Sequence, residues 1–280
     1  MCVHDENYSE SILEMAVQHF PVVTIDRRLK GVPISFVGTD NEAASRELAR
    51  YLLDRGYRKT CFVKPHAAET STLQERIQGF KKAYNEYGLF ADESLWITDI
   101  RATLPAYHQY RGEQQLAEDE EKIIEFIQKH PEIDSYFAVE YSLARIVYTC
   151  LRKLGLQEKC PVVCFDGSDN IVQESMFTHV KQNEKEIGSL SVRILADEIR
   201  GDDEVKTVLV PYHIREMTRG GRQTESDRML KIGKSVFTNR FKKHTLKEIS
   251  DRKLKPVGLE WNIQRRMRQN GYKQQNADCR

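Results

Sequence analysis

The sequence predicts an α/β protein built on parallel strands, and three observations carry that prediction. First, Ala44, Leu48, Tyr51 and Leu52 recur at three- and four-residue spacing, the period that gathers apolar side chains on one face of a helix. Second, Gly56 ends that helix, and the β-rich run Thr60-Cys61-Phe62-Val63 follows at once. Third, a polar loop leads from this run into a second helix start over residues 73–80. Helix, short loop, buried strand, polar loop, helix is the rhythm of a parallel sheet. Asp40 and Asn41 stand just before the first helix, where a short side-chain oxygen can accept the unpaired amide protons of the first turn.

The remaining elements follow in chain order. Residues 9–19 read as a helix, and Pro21-Val22-Val23-Thr24-Ile25 is a mostly apolar run of strand length that stops at Asp26. Residues 34–37 give the next strand, and the helix, strand and helix start already described come after it. Trp96 and Ile97 suit a short strand, whereas residues 101–117 show no clear period. A helix over 118–129 has the charged face Glu118-Asp119-Glu120-Glu121-Lys122, which reads as a solvated surface. A strand is expected at 135–139, a helix at 143–154 ending at Gly155, and a buried strand at 162–165. Residues 178–182 lead to a helix at 187–200 and a strand at 205–210. Gly220-Gly221 marks a boundary, beyond which helices at 226–243 and 261–270 have little apolar periodicity with which to build a core.

The formal charge of +1 conceals an uneven distribution. Residues 219–280 hold 17 Lys+Arg against 6 Asp+Glu, a net of +11, while residues 1–218 hold 26 against 36, a net of −10. An acidic body thus carries a basic tail. Met1 to Asn7 has neither a cationic start nor an apolar run, and no later stretch is long enough to span a bilayer, so a cytosolic protein without a membrane partner is expected. The six cysteines lack repeated metal-ligand spacing and read as reduced thiols. Cys160 and Cys164 share a strand face but have no further ligands nearby, which points to core thiols rather than a metal site. No G-x-x-x-x-G-K-[ST] loop and no G-x-G-x-x-G after a strand is present, so no nucleotide cofactor is expected.

In open α/β sheets ligands bind beyond the carboxyl ends of the strands. That rule selects Asp26, Glu140 and Asp166, each directly following a predicted strand, and adds Arg76 from the helix start beyond the strand 60–63. Carboxylates accept from vicinal hydroxyls and a guanidinium donates in fixed geometry, a set that suits a sugar. Singly, each has an ordinary structural role as a helix cap or surface ion pair; their joint placement favours a site. A glycosidase would need two carboxylates flanking one bond, and nothing marks Asp26 or Asp166 for that role, so no enzyme is expected.

Gly38-Thr39-Asp40-Asn41, the helix closing on Arg55-Gly56-Tyr57, and Arg76-Ile77-Gln78-Gly79-Phe80 together resemble the effector domain of LacI/GalR-type transcriptional regulators. The resemblance spans roughly residues 1–218. It implies a bilobal, periplasmic-binding-protein-like fold with parallel sheets flanked by helices. The first lobe would comprise about residues 1–38 and 183–208, the second about 39–182 and 209–218, with 219–280 as an additional basic tail. In the resembled family a helix-turn-helix domain and then a strand, a helix and most of a second strand come before the point at which this chain opens. The first lobe is therefore expected to be incomplete, with DNA contacted through a domain outside this chain and a homodimer in the full-length protein.

The same resemblance places Asp26, Arg76 and Asp166 at hydroxyl-binding positions and Thr72 at another contacting position. Thr39 and Gln182 fall near the lobe crossovers, where contacts also occur. The family usually has Asn-Asp after the strand 135–139, whereas this chain has Glu140-Tyr141; Glu140 can accept from a hydroxyl and Tyr141 can offer an aromatic face. A small-molecule effector, a sugar or derivative, is the implied partner. The alternative is a nucleic-acid-binding protein acting through its tail, where Arg240-Phe241-Lys242-Lys243-His244 and Arg265-Arg266-Met267-Arg268 could contact phosphates, with the α/β body as scaffold.

Overall fold

The computed structural model describes residues 10–29, 31–66, 70–104, 112–167 and 176–217. The readings made on residues 219–280 lie outside them. The elements run α1 (Glu10–Val17), β1 (Val23–Ile25), β2 (Ser35–Thr39), α2 (Asn41–Asp54), β3 (Thr60–Pro65), α3 (Ser71–Glu86), β4 (Ile97–Ile100) and α4 (Gly112–Lys129). They continue as β5 (Ser135–Ala138), α5 (Tyr141–Lys153), β6 (Val162–Phe165), β7 (Thr178–Lys181), α6 (Glu184–Ile199), β8 (Thr207–Val210) and β9 (His213–Arg215).

Two sheets form, one of three strands in the order β1-β2-β8 and one of six in the order β4-β3-β5-β6-β7-β9. All pairings are parallel except β7 with β9, which is antiparallel. The chain passes between the sheets three times: after β2 at Thr39, after β7 at Lys181 and after β8 at Val210. The parallel strands are those that the helix and strand rhythm leads one to expect, and the division into two sheets is the bilobal arrangement that the family resemblance implies.

The local chemistry explains where elements start and stop. Asp40 caps α2, its carboxylate accepting from the Ala43 amide at 2.9 Å, and Gly56 takes the left-handed φ of 92° that turns the chain away from that helix. Thr70 caps α3 through Leu73 N at 3.3 Å, so that the helix starts at Ser71, two residues before the expected 73, and Asn183 caps α6 through Glu186 N at 3.2 Å. Strand β1 is shorter than the run 21–25, β8 begins at Thr207 rather than 205, and α4 extends back to Gly112 through the stretch without a clear period. Strand β9 was not expected at all; its residues are exposed or half-buried, so no apolar run announces it.

The six-stranded sheet holds most of the core. Phe62 on β3 stacks on Phe137 of β5 with centroids 5.3 Å apart, and Phe80 and Trp96 close on Phe62 at 5.0 and 4.8 Å. The small sheet rests on a separate cluster in which Val23, Val37, Ile187, Ile194 and Val210 are buried. Cys61, Cys150, Cys160 and Cys164 are free and buried, and burial pushes the Cys150 thiol up to about 12.

Candidate functional site

Three strands that end at the junction of the two sheets, β1, β6 and β7, are followed directly by polar residues that line one cavity of about 430 Å³, Asp26, Asp166 and Gln182, and Glu140 enters it two residues past β5. Asp26 follows β1, Asp166 follows β6, and both have left-handed backbones, with φ of 66° and 61°. Their amides complete the ladders, Asp26 N donating to Val37 O at 3.1 Å and Asp166 N to Val180 O at 2.9 Å. The strand hydrogen bonding thus continues one residue past each strand, and the left-handed twist there redirects the side chain. Asp is one of the few residues that tolerates this geometry.

Arg76 lies on the first turns of α3 and is 7% exposed. Its Nε donates to Asn41 Oδ1 at 2.9 Å, its Nη1 to Val139 O at 2.6 Å, and its guanidinium lies 3.9 Å from the Phe165 ring centroid. Such a cation–π contact adds roughly 0.5–2 kcal/mol. Burial pulls the guanidinium below its ordinary pKa, and the carboxylates of Asp166, Asp26, Glu140 and Glu75 work against that pull. Nη2 has no hydrogen-bond partner among the described residues.

The structure brings Asp26, Thr72, Arg76, Glu140 and Asp166 together as lining of this one cavity. Thr72 shares a 3.0 Å hydroxyl contact with Thr70, and Glu140 accepts from Ser142 Oγ at 3.3 Å. Tyr141 is not among the lining residues. It opens α5, and its ring packs against Phe177 with centroids 5.7 Å apart, so the first helical turn commits it to the core side.

Several residues enter the site that the strand-end rule did not select. Arg27, Thr70, Gln182 and Glu184 line the cavity. Gln182 Nε2 donates to Asp166 Oδ1 at 2.9 Å and its Oε1 accepts from Thr39 Oγ1 at 2.7 Å, so two crossover positions and the site form one chain of hydrogen bonds. Gln182 directly follows β7, so the rule that found the aspartates would also have found it. Asn41, read as a capping residue, is the first residue of α2 and fully buried; it holds Arg76 and donates to Thr39 O at 3.2 Å. No sequence signal separates that role from an ordinary cap.

Comparison with protein families matches residues 3–203 to the periplasmic binding protein domain. No curated protein matches the sequence. Among solved structures the chain is similar to a LacI family transcriptional regulator from Enterococcus faecium with bound ribose, at 20% identity and a TM-score of 0.60, covering 75% of this chain and 74% of that one. It is similar also to GanP, a glucose-galactose binding protein from Geobacillus stearothermophilus, at 22% identity and a TM-score of 0.58 over 72% and 70% of the two chains. A third, the transcriptional regulator CelR in complex with cellobiose, shares 24% identity and a TM-score of 0.56, over 70% of this chain and 57% of that one. These likenesses establish the fold, and the match over residues 3–203 places the chain in the periplasmic binding protein domain family.

Proposed function

We propose that this chain is the ligand-sensing part of a LacI/GalR-type transcription regulator and binds a sugar or sugar-like effector in the cleft between its two sheets. One observation supports this above the others: Asp26 from the small sheet and Arg76 and Asp166 from the large one face a single cavity of about 430 Å³. That volume is within the range of small-molecule sites, roughly 300–1,000 Å³. Acceptors on both sides and a buried donor between them suit a guest with hydroxyls on several faces. The proteins of similar fold described above include regulators with bound ribose and cellobiose and a glucose-galactose binding protein.

In this reading the guest binds the closed arrangement of the lobes better than the open one and shifts the population toward it. DNA is contacted by a helix-turn-helix domain outside these residues, in a homodimer, in the cytosol. No described helix is long and apolar enough to cross a membrane. The polar groups act as binding groups, and the reading assigns no turnover to them.

The test is a melting-temperature screen against pentoses, hexoses and their derivatives. A matching ligand at 100 times its Kd stabilises by about 2.7 kcal/mol, which a thermal shift detects. Arg76→Ala abolishes the shift. Because Arg76 also ties α3 to Val139, Asp26→Asn serves as a second variant that removes a site charge without touching that tether. A folded protein that responds to none of the panel refutes the sensing role.

A further inference from the structure

The charge of the cavity narrows the class of guest, on the premise that the cavity is the sugar site proposed above. Four lining residues are carboxylates, Asp26, Glu140, Asp166 and Glu184, against two guanidinium groups, Arg27 and Arg76. Glu184 is answered from outside the lining by Lys181, whose Nζ lies 2.6 Å from its Oε1. Among the described residues three carboxylates then face two cations, an excess of one negative charge.

Arg76 is partly committed to the protein. Its Nε–H and one of its two Nη1–H groups go to Asn41 and Val139, so its free donors in this 93%-buried side chain are concentrated on Nη2. Its charge is answered most strongly by Asp166, then by Asp26, and only then by Glu140. Asp166 also receives the Gln182 amide at 2.9 Å. Among the described residues Glu140 receives only the Ser142 hydroxyl, at 3.3 Å, and it does not cap its own helix. Asp26 receives no hydrogen bond there but stands ahead of Glu140 in answering Arg76, so Glu140 is the lining carboxylate of the three that Arg76 holds least.

We propose that the effector is an amino sugar, carrying one ammonium group against the Glu140 carboxylate while its hydroxyls engage Asp26, Asp166 and Arg76 Nη2. A sugar acid or sugar phosphate would add negative charge to a cavity already in excess. An ammonium brings the lining to neutrality and donates up to three hydrogen bonds.

The experiment uses the full chain and three matched sets of probes: glucosamine, galactosamine and mannosamine, their neutral parents glucose, galactose and mannose, and glucuronate and galacturonate. Dissociation constants come from calorimetry at low and at 0.5 M salt. The expected result is at least tenfold tighter binding of one amino sugar than of its parent, no binding of the acids, and a ratio that shrinks with salt. In Glu140→Gln that ratio falls about tenfold, and the unchanged melting temperature of the ligand-free variant shows that folding is intact. Neutral sugars binding as well as amino sugars, or acids binding best, overturns the amine assignment and leaves the sugar site standing. Failure of every probe overturns the amine assignment, and the sugar site falls with it when the pentoses of the wider screen also fail.

Discussion

Asp26 shows how one residue can serve a site at the expense of the fold. Its φ of 66° lies in the left-handed region, and its carboxylate receives no hydrogen bond among the described residues, so no hydrogen bond to its own side chain offsets the backbone strain. The left-handed conformation costs an ordinary L-residue about 1–2 kcal/mol, and glycine escapes most of it. Asp26→Gly is therefore expected to be more stable than Asp26→Ala by about 1 kcal/mol, the reverse of the usual order of these two residues, as read from urea unfolding midpoints. Both lack the carboxylate, and both are expected to lose the thermal response to ligand. Equal stability of the pair would mean that the backbone at this position is relaxed.

At the scale of elements, the contact between α2 and α3 positions Arg76, and Gly79 sets how close those helices come. A Cβ at Gly79 would overlap the Glu42 carbonyl oxygen on α2 and reach 2.8 Å from Ser45 Cβ. These are backbone and short side-chain atoms that cannot swing aside. Ser45 Oγ also donates to Arg76 O at 2.5 Å, so separating the helices breaks a bond to the very residue that lines the cavity. Gly79→Ala is expected to lower stability by about 1–3 kcal/mol and to weaken ligand binding, checked by denaturation and calorimetry on the same sample. Elements of this kind were largely legible in advance, because helix period, caps and apolar strand runs are local properties. The strand-end rule located Asp26, Glu140 and Asp166 for the same reason. What was not legible depends on contacts distant in sequence: β9 exists through pairing with β7, Asn41 turns from cap to clamp because Arg76 arrives 35 residues later, and Tyr141 turns away from the cavity because Phe177 packs on it.

The whole molecule is uneven in the way its two sheets are held. The larger sheet is built on an aromatic cluster around Phe62, Phe80, Trp96 and Phe137, whereas the smaller rests, among the described residues, on the aliphatic cluster of Val23, Val37, Ile187, Ile194 and Val210. Opening free energies follow local burial, so the small sheet is expected to open without the large one. In hydrogen exchange without ligand, the Phe36 amide, bonded to Lys206 O on β8's approach, should exchange faster than the Tyr136 amide, bonded to Pro161 O between β5 and β6. A guest held by Asp26 on one side and by Arg76 and Asp166 on the other bridges the two sheets, and so resists every opening that breaks its site, whether the sheets separate or either of them melts. At 100 times Kd it should slow exchange by about 100-fold at Phe36 and at Tyr136 alike, the factor set by mass action, while the ligand-free gap between the two amides is kept. Equal exchange at the two amides without ligand would mean that the sheets open as one cooperative body, and slowing at Tyr136 alone would place the guest on the large sheet without Asp26.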